Sequence, residues 1–151
     1  MIIRPIQETD VNDLSQLIER VARRFLFQDF TEEGKQKFLN SVTGSGIIKN
    51  LNEGFEYWLA ENDNQIIGVI ALKNKTHLYN LFIDADFHGK GIARKLWDKA
   101  IHGSNVKTYT VFSSSYAVPI YEKLGFVISG DPVNDNGIYC IPMIYKVHLK
   151  K

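Results

Sequence analysis

The amino-acid sequence predicts an α/β (α+β) fold, in which a mixed β-sheet carries helices on its faces. The order of the predicted elements predicts this class, and the length of the chain predicts the number of domains. The predicted elements run β, α, α, then a β meander, then β-α-β-α-β-β, an order that builds a mixed sheet with helices packed on it. No repeat, low-complexity segment or linker interrupts the 151 residues, a length that fits one domain of ordinary size. We therefore predict one domain over residues 1–151.

The first third of the chain predicts one strand and two helices. Residues 2–6 form a short apolar strand. Thr9 or Asp10 then caps a helix, because the apolar residues that follow recur at helical spacing. Thr31, which precedes two acidic residues, starts a second and shorter helix. Residues 44–54 are predicted to be a loop, or a loop with one helical turn.

Three strands follow in quick succession and form the meander. They are predicted over residues 55–61, 65–72 and 77–83. The first two are joined by Asn-Asp-Asn at 62–64, a sequence typical of a tight hairpin turn, and a second turn at 73–75 leads into the third.

The remainder of the chain alternates helices with strands. Residues 134–137, Asn-Asp-Asn-Gly, are predicted to join the last two strands as a hairpin. The predicted elements are a helix that ends near residue 102, a strand over 107–112, a helix over about 116–124, a strand from residue 126 and a last strand over 138–147.

Composition and charge narrow the classes of function. Hydrophobic residues make up 44% and charged residues 23% of the chain, as in soluble globular proteins. A formal net charge of +1 does not indicate the strongly basic surface of a nucleic-acid-binding protein. The longest strongly apolar run, residues 66–72, is far shorter than a membrane span, and the N-terminus has no signal-peptide stretch. We therefore expect a cytoplasmic protein with no membrane or nucleic-acid partner.

The single cysteine, Cys140, limits the redox and metal chemistry. One cysteine excludes an internal disulfide and a structural zinc site built from cysteines. His102 and His148 lack the neighbours that would make a metal site, and we predict no metal.

The strongest chemical signal is residues 88–94, His-Gly-Lys-Gly-Ile-Ala-Arg, between a predicted strand and a predicted helix. Two glycines and a small alanine let the backbone pass close to a ligand. The first turn of the helix leaves amide N–H groups unpaired and its dipole favours an anion, so the segment predicts a pyrophosphate cradle. Lys90, Arg94 and Lys95 add positive charge at the same end. The alternative is a glycine-rich connection whose basic residues are merely solvated.

A second segment, residues 111–126, ends in Tyr-Glu-Lys-Leu-Gly-Phe at 121–126. Together the two segments resemble the GCN5-related N-acetyltransferases (GNAT), and small bacterial members in particular. Residues 88–93 match the family's CoA-pyrophosphate motif, usually written Gln/Arg-x-x-Gly-x-Gly/Ala, and the second segment matches its strand-helix motif. The sequence departs from the family at His88, where Gln or Arg is usual, and at Ser114, where many members have Asn.

The resemblance covers nearly the whole chain and implies a mixed, mostly antiparallel sheet flanked by helices on both faces. It also implies a V-shaped opening between strands 77–83 and 107–112, with acetyl-CoA bound there as co-substrate. The strand residues of this set would contribute backbone groups, and the same residues are equally expected to be sheet core. The residues implied to contact acetyl-CoA are Leu81, Phe82, Ile83, His88, Gly89, Lys90, Gly91, Ile92, Ala93, Arg94, Ser114, Ala117 and Tyr121.

Two residues are candidates for proton transfer. The resemblance implies that Tyr121 is the general acid for the departing CoA thiolate, since a phenol with a pKa of about 10 can protonate a thiolate with a pKa of about 8.5. The alternative is that Tyr121 belongs only to a buried helical stripe. His77 is the candidate base, because several family members carry a glutamate base near this point and imidazole has a near-neutral pKa. The alternative is an ordinary polar residue at a strand start.

Three aromatic residues are candidates for the acceptor site. Phe27 and Phe30 lie in the connection where the family builds part of that site. Tyr79, two residues beyond His77 and expected on the same face of the strand, is a candidate for the acceptor site and a secondary candidate for the base.

The sequence therefore predicts an N-acetyltransferase, a transferase of the acyltransferase class. It would move an acetyl group from acetyl-CoA to a primary amine of a small molecule or peptide, by direct attack in a ternary complex. The alternative is a non-catalytic acyl-CoA-binding sensor or interaction module on the same fold. The acceptor, the length of the acyl group and the oligomeric state stay open, and a homodimer is expected only by analogy with the family.

Overall fold

A computed structural model describes residues 1–147, and the last four residues of the predicted domain 1–151 lie outside this range. None of the helices in the described range is long and apolar enough to cross a membrane. The strands and helices are β1 (Ile2–Pro5), α1 (Val11–Phe25), α2 (Glu32–Ser41), α3 (Gly44–Asn52), β2 (Glu56–Asn62), β3 (Gln65–Lys73), β4 (His77–Ile83), α4 (Ile92–Ile101), β5 (Thr108–Ser113), α5 (Val118–Leu124), β6 (Val127–Ile128), β7 (Val133–Asp135) and β8 (Ile138–Lys146).

The sheet is mixed and mostly antiparallel, as predicted. Strands β1 to β4 form an antiparallel meander, and the sheet continues in the order β5, β8, β6, with β7 paired to β8. The turn between β2 and β3 places Asp63 and Asn64 at φ of 50° and 64°. Positive φ at both central residues is the geometry of a tight hairpin, and Asn and Asp adopt it more readily than other non-glycine residues. The predicted fold class is therefore confirmed.

Two hydrophobic cores hold the sheet, one on each face. On one face, Leu14 and Ile18 of α1 pack in a cluster with Val69 of β3, and α2 and α3 complete the layer. On the other face, Leu96 and Trp97 of α4 pack with strand residues and with α5. Because side chains alternate along a strand, the central strands β2, β3 and β4 supply both cores at once.

Residues 44–52 form the helix α3, so the prediction of a loop over 44–54 is wrong. The side chain of Thr43 accepts a hydrogen bond from the Gly46 amide and caps the helix. Ile47 is buried in the core, and the Asn50 side-chain amide donates to the Tyr57 hydroxyl at 3.0 Å. Two glycines in the first turn hid the helical pattern, because glycine has low helix propensity.

Two further details of the chain differ from the prediction. Residues 133–135 form β7, so the hairpin turn is made by Asn136 and Gly137 alone. Asp10 does not cap α1 through its side chain. Its carboxylate instead accepts hydrogen bonds from the Gln7 amide and from the Arg4 guanidinium, at 2.8 Å each. Because the charged Arg4 guanidinium is the stronger partner, the Asp10 carboxylate hydrogen-bonds to it and does not cap α1.

Two glycines join α2 to the turn between β7 and β8. The Thr31 amide donates to the Gly137 carbonyl at 3.0 Å, and the Thr31 hydroxyl accepts from the Gly34 amide at 3.1 Å. A Cβ at Gly34 would overlap the Gly137 carbonyl group. The close approach therefore requires glycine at position 34 and fixes the segment before α2 against the sheet.

We expect Gly34→Ala to lower the free energy of unfolding by about 1–3 kcal/mol, because the added methyl group overpacks this contact. Urea denaturation measures the change. Asn40→Ala, on the exposed side of α2, is the matched control and should change it by less than about 0.5 kcal/mol. Equal stability of Gly34→Ala and the wild type would contradict the proposed contact.

Candidate active site

A cleft opens in the middle of the sheet, where β4 and β5 part. These two strands are parallel neighbours and pair at only two positions, His77 with Thr110 and Leu78 with Val111. Beyond Leu78 the strands separate, and a cavity of about 480 Å³ lies beside the free end of β4. Its lining comprises Val21, Leu26, Leu81, Phe82, Ile83, Phe87, His88, Gly89, Gly91, Ile92, Ala93, Arg94, Tyr116, Ala117, Ile120, Tyr121, Lys123 and Leu124.

The cleft passes between the two hydrophobic cores. Val21 and Phe82 in its wall belong to the core beneath α1 to α3, whereas Ile92 and Tyr121 belong to the core beneath α4 and α5. A ligand in the cleft is therefore contacted from both faces of the sheet.

A β-bulge interrupts β4 at the inner end of the cleft. Asn80 pairs with Ala71 of β3, but Leu78 pairs with the next residue, Leu72, so Tyr79 is the extra residue. Such a bulge bends its strand and disrupts the local ladder, a feature often found next to active sites.

The glycine segment lies at the outer end of the cleft, at the N-terminus of α4. Gly89 and Gly91 have φ of +77° and +75°, the left-handed region that glycine adopts without cost. Gly91 is the N-cap of α4, and the first helical hydrogen bond joins the Lys95 amide to the Gly91 carbonyl at 3.2 Å. The preceding amides have no partner within the helix and point outward from its positive end. This set of donors suits the diphosphate of CoA.

Two side chains fasten the segment to its surroundings. The His88 imidazole hydrogen-bonds through Nε2 to the Ile83 carbonyl at 2.8 Å, which ties the segment to the end of β4. The Arg94 guanidinium donates to the Lys123 carbonyl at 2.5 Å and links α4 to α5. Both contacts join elements that border the cleft and so fix the positions of its walls relative to each other.

Lys90 and Ser114 are the two predicted CoA contacts that do not line the cleft. The Lys90 ammonium lies 5.2 Å from the centre of the Phe87 ring. The Ser114 hydroxyl accepts a hydrogen bond from the Ala117 amide at 3.1 Å and so shapes the turn before α5. The other eleven predicted contacts all belong to the lining.

Tyr121 lies in the cleft wall and is 6% exposed. Its ring packs edge-on against Phe126, with centroids 5.7 Å apart, and no described residue hydrogen-bonds to its hydroxyl. Burial raises the pKa of the Tyr121 phenol well above its ordinary value. The hydroxyl therefore stays protonated at neutral pH and is available as a donor.

His77 does not line the cleft but lies at its closed end, in the last residue pairs that join β4 to β5. Its Nδ1 is 2.8 Å from the Thr110 hydroxyl, and its ring packs 5.2 Å from that of Phe112. Burial, together with the nearby charge of Lys73, lowers the pKa of His77. The imidazole is therefore neutral at pH 7, as a base must be.

The three predicted acceptor residues also lie outside the lining. Tyr79 packs edge-on against Phe55 at 5.0 Å between centroids. Phe27 and Phe30 pack against Phe38, which in turn lies 6.1 Å from Phe82 of the cleft wall. The structure therefore places this aromatic cluster behind the wall rather than in it.

Sequence reasoning missed the part of the lining that α1 and its C-terminal connection supply. Val21 lies on the apolar stripe of α1, whose spacing is also that of a core-facing helix, and Leu26 follows directly after the helix. Tyr116 was also missed, and its ring lies 4.7 Å from that of Phe25 across the cleft mouth. No sequence pattern separates a stripe that faces a core from one that ends at a cleft. Within residues 1–147, no group of three or more His, Cys, Asp or Glu side chains is arranged to hold a metal ion.

Comparisons with known proteins agree with this geometry. The family described as "Acetyltransferase (GNAT) domain" matches residues 26–147. Over 81 residues the chain is 32% identical to N-acetylaspartate synthetase of Homo sapiens, a match that covers 46% of this chain but only 27% of that relative's length.

Two solved structures share the fold over nearly the whole chain. A GCN5-related N-acetyltransferase from Rhodopseudomonas palustris superposes with a TM-score of 0.83 at 19% identity, covering 97% of this chain and 95% of the other. The PaiA N-acetyltransferase of Thermoplasma acidophilum, in complex with coenzyme A, gives a TM-score of 0.80 at 17% identity, covering 97% and 98%.

We expect Gly91→Ala to weaken CoA binding by about tenfold, because an alanine in the left-handed region costs roughly 1–2 kcal/mol and relaxing that strain moves the α4 amides. Isothermal titration measures the change. Gly54→Ala is the matched control, since Gly54 also has positive φ, of 90°, in open space but follows α3, outside the cleft lining. Similar losses of CoA affinity in both variants would contradict the role of the glycine segment.

Proposed function

The chain belongs to the GNAT acetyltransferase family, and from this premise we propose that it transfers an acetyl group from acetyl-CoA to a primary amine of a small molecule or peptide. The observation that carries the proposal is the cleft between β4 and β5, with amide donors at its outer end and the Tyr121 hydroxyl in its wall. The transfer is direct, in a ternary complex, and needs no covalent enzyme intermediate. We further propose that it takes place in the cytoplasm; a homodimer stays a prediction from the sequence.

The chain offers a separate group for each part of acetyl-CoA. The α4 amides and Arg94 suit the diphosphate, with Lys90 and Lys95 adding positive charge nearby. The free edge of β4 suits the pantetheine arm, because its pairing with β5 ends at Leu78. His88 already occupies the Ile83 carbonyl, so the arm is left with the other backbone groups of residues 81–83.

Two residues carry the protons in this proposal. His77, neutral at pH 7, accepts the proton of the amine through water as the nitrogen attacks the acetyl carbon. Tyr121 donates its hydroxyl proton to the sulfur as the carbon–sulfur bond breaks, and it is restored from solvent. The raised pKa keeps the Tyr121 phenol protonated at neutral pH but also makes it a weaker acid, so it acts first as a hydrogen-bond donor to the developing thiolate.

The direct test combines binding with turnover. Isothermal titration with acetyl-CoA and CoA is run beside a thiol-release assay on a panel of primary amines. We expect binding of both ligands and release of CoA with at least one amine. Binding without release would favour a non-catalytic acyl-CoA sensor, and the absence of binding would contradict the proposal as a whole.

We expect Tyr121→Phe to lower turnover by about 100-fold, because the departing thiolate loses its proton donor. CoA affinity should change by less than about twofold, since the ring still packs against Phe126. Tyr145→Phe, in the same core but outside the cleft lining, is the control and should keep full turnover. Undiminished turnover in Tyr121→Phe would remove this residue from the chemistry.

We expect kcat/KM to have an acid limb that His77→Gln removes. The pKa of His77 is lowered below its ordinary value of about 6.5, so at pH 6.5 and above the imidazole is neutral and can act as the base. As the pH falls through the lowered pKa, the imidazole is protonated and this activity is lost. The pH profile of kcat/KM with the best amine of the panel measures the limb. His102→Gln, at an exposed histidine, should leave the limb in place. An unchanged profile in His77→Gln would exclude His77 as the base.

A further inference from the structure

One buried polar side chain lies next to the cleft and takes no part in the roles described above; it is not itself among the lining residues. Asn80 is 5% exposed and lies in β4 directly after the bulge at Tyr79. It is two residues beyond the last pair that joins β4 to β5, and it precedes Leu81, the first residue of β4 in the cleft lining. Asn80 therefore stands where the strands begin to part.

The side-chain amide of Asn80 holds a donor that nothing in the described chain satisfies. Its Nδ2 is buried and has no hydrogen-bond partner among residues 1–147. Leaving a buried N–H donor unpaired destabilises a folded protein, so such groups are rare and call for an explanation. The other buried asparagine, Asn50, shows the usual solution, because its Nδ2 donates to the Tyr57 hydroxyl at 3.0 Å.

The register of the sheet fixes the face that Asn80 occupies. Directly paired residues share a face, and Asn80 pairs with Ala71 just as Phe82 pairs with Val69. Ala71, Val69 and Phe82 belong to the core beneath α1 to α3. Asn80 is thus on the same face as Phe82, a residue of the cleft wall, and on the opposite face from Tyr121.

The unpaired donor selects an oxygen as its partner, and the proposed reaction brings one oxygen to this place whatever the acceptor is. The diphosphate site lies at the C-terminal end of β4, so the acyl group at the other end of the pantetheine arm extends towards the N-terminal end. Asn80 is three residues back from Ile83, about 10 Å along the strand. The acetyl carbonyl oxygen gains negative charge as the amine attacks, and a preorganised donor there stabilises that charge.

We propose that Asn80 is a substrate-binding residue whose Nδ2–H donates a hydrogen bond to the acetyl carbonyl oxygen of bound acetyl-CoA. The inference rests on the proposed function. It adds a side-chain donor to the cleft and implies that the protein distinguishes acetyl-CoA from CoA through this amide. No proton is transferred in this contact.

The test compares two ligands in two matched variants. Isothermal titration gives the affinities for acetyl-CoA and CoA, and thermal unfolding of the unliganded protein gives Tm. In Asn80→Leu we expect acetyl-CoA to bind about two- to tenfold more weakly while CoA affinity is unchanged, since only acetyl-CoA loses a hydrogen bond. We expect Tm to stay the same or rise, because the replaced amide has no partner to lose. Asn50→Leu should lower Tm, since it breaks a satisfied bond, and keep the preference for acetyl-CoA.

A second variant and a spectroscopic measurement separate this role from packing. Asn80→Ala removes the amide without adding bulk and should also lose the preference for acetyl-CoA. With ¹³C-carbonyl acetyl-CoA, binding to the wild type should lower the carbonyl stretching frequency, and the shift should be smaller in both Asn80 variants.

Three results would overturn the inference. These are a fall of Tm in Asn80→Leu as large as that in Asn50→Leu, an equal loss of affinity for both ligands, or an unchanged carbonyl shift. Each leaves the proposed function intact if the wild type still binds acetyl-CoA and releases CoA. Failure of the wild type to bind either ligand would instead remove the proposed function, and this inference with it.

Discussion

The short parallel contact between β4 and β5 is the constraint on which the rest of this structure depends. Two residue pairs at the His77 end hold the strands together, and beyond them the backbone of β4 has no strand neighbour on that side. A buried backbone edge must find hydrogen-bond partners, so an opening of this kind inside a sheet is sustained only where other groups line it. Here α1 supplies wall residues from one face and α5 from the other, and the unpaired edge of β4 borders the cleft between them.

The two ends of the cleft are built by different physical means. The outer end relies on backbone amides, whose direction is set by two glycines with positive φ, so its polarity does not depend on flexible side chains. The inner end relies on burial, which keeps the Tyr121 phenol neutral and leaves the Asn80 amide without a partner. The amide donors at the outer end suit the charged diphosphate of an acyl-CoA molecule, and the buried polar groups at the inner end suit its acyl group.

Sequence alone predicted the parts of the molecule in which backbone geometry dictates residue type. Positive φ demands Gly89 and Gly91, and the turn between β2 and β3 demands residues such as Asn64, so these places were predicted correctly. The helix α3 was missed because the two glycines of its first turn weaken the pattern. The face of the sheet that Asn80 occupies could not be predicted, because the bulge breaks the two-residue alternation of β4. The α1 wall of the cleft was missed because a cleft-facing stripe has the composition of a core-facing one. The roles of Tyr121 and His77 came from the family resemblance and stay predictions.

The bulge at Tyr79 makes the pairing of β4 with β3 depend on the length of the chain at one point. Leu78 and Asn80 are two residues apart, yet they occupy opposite faces of the sheet, because the extra residue shifts the register between them. A chain shorter by this one residue would form an unbroken ladder between β3 and β4, with Leu78 and Asn80 still on their own faces. The length of the chain at this point, and not only the identity of its residues, therefore decides which side chains β4 presents to each face of the sheet next to the cleft.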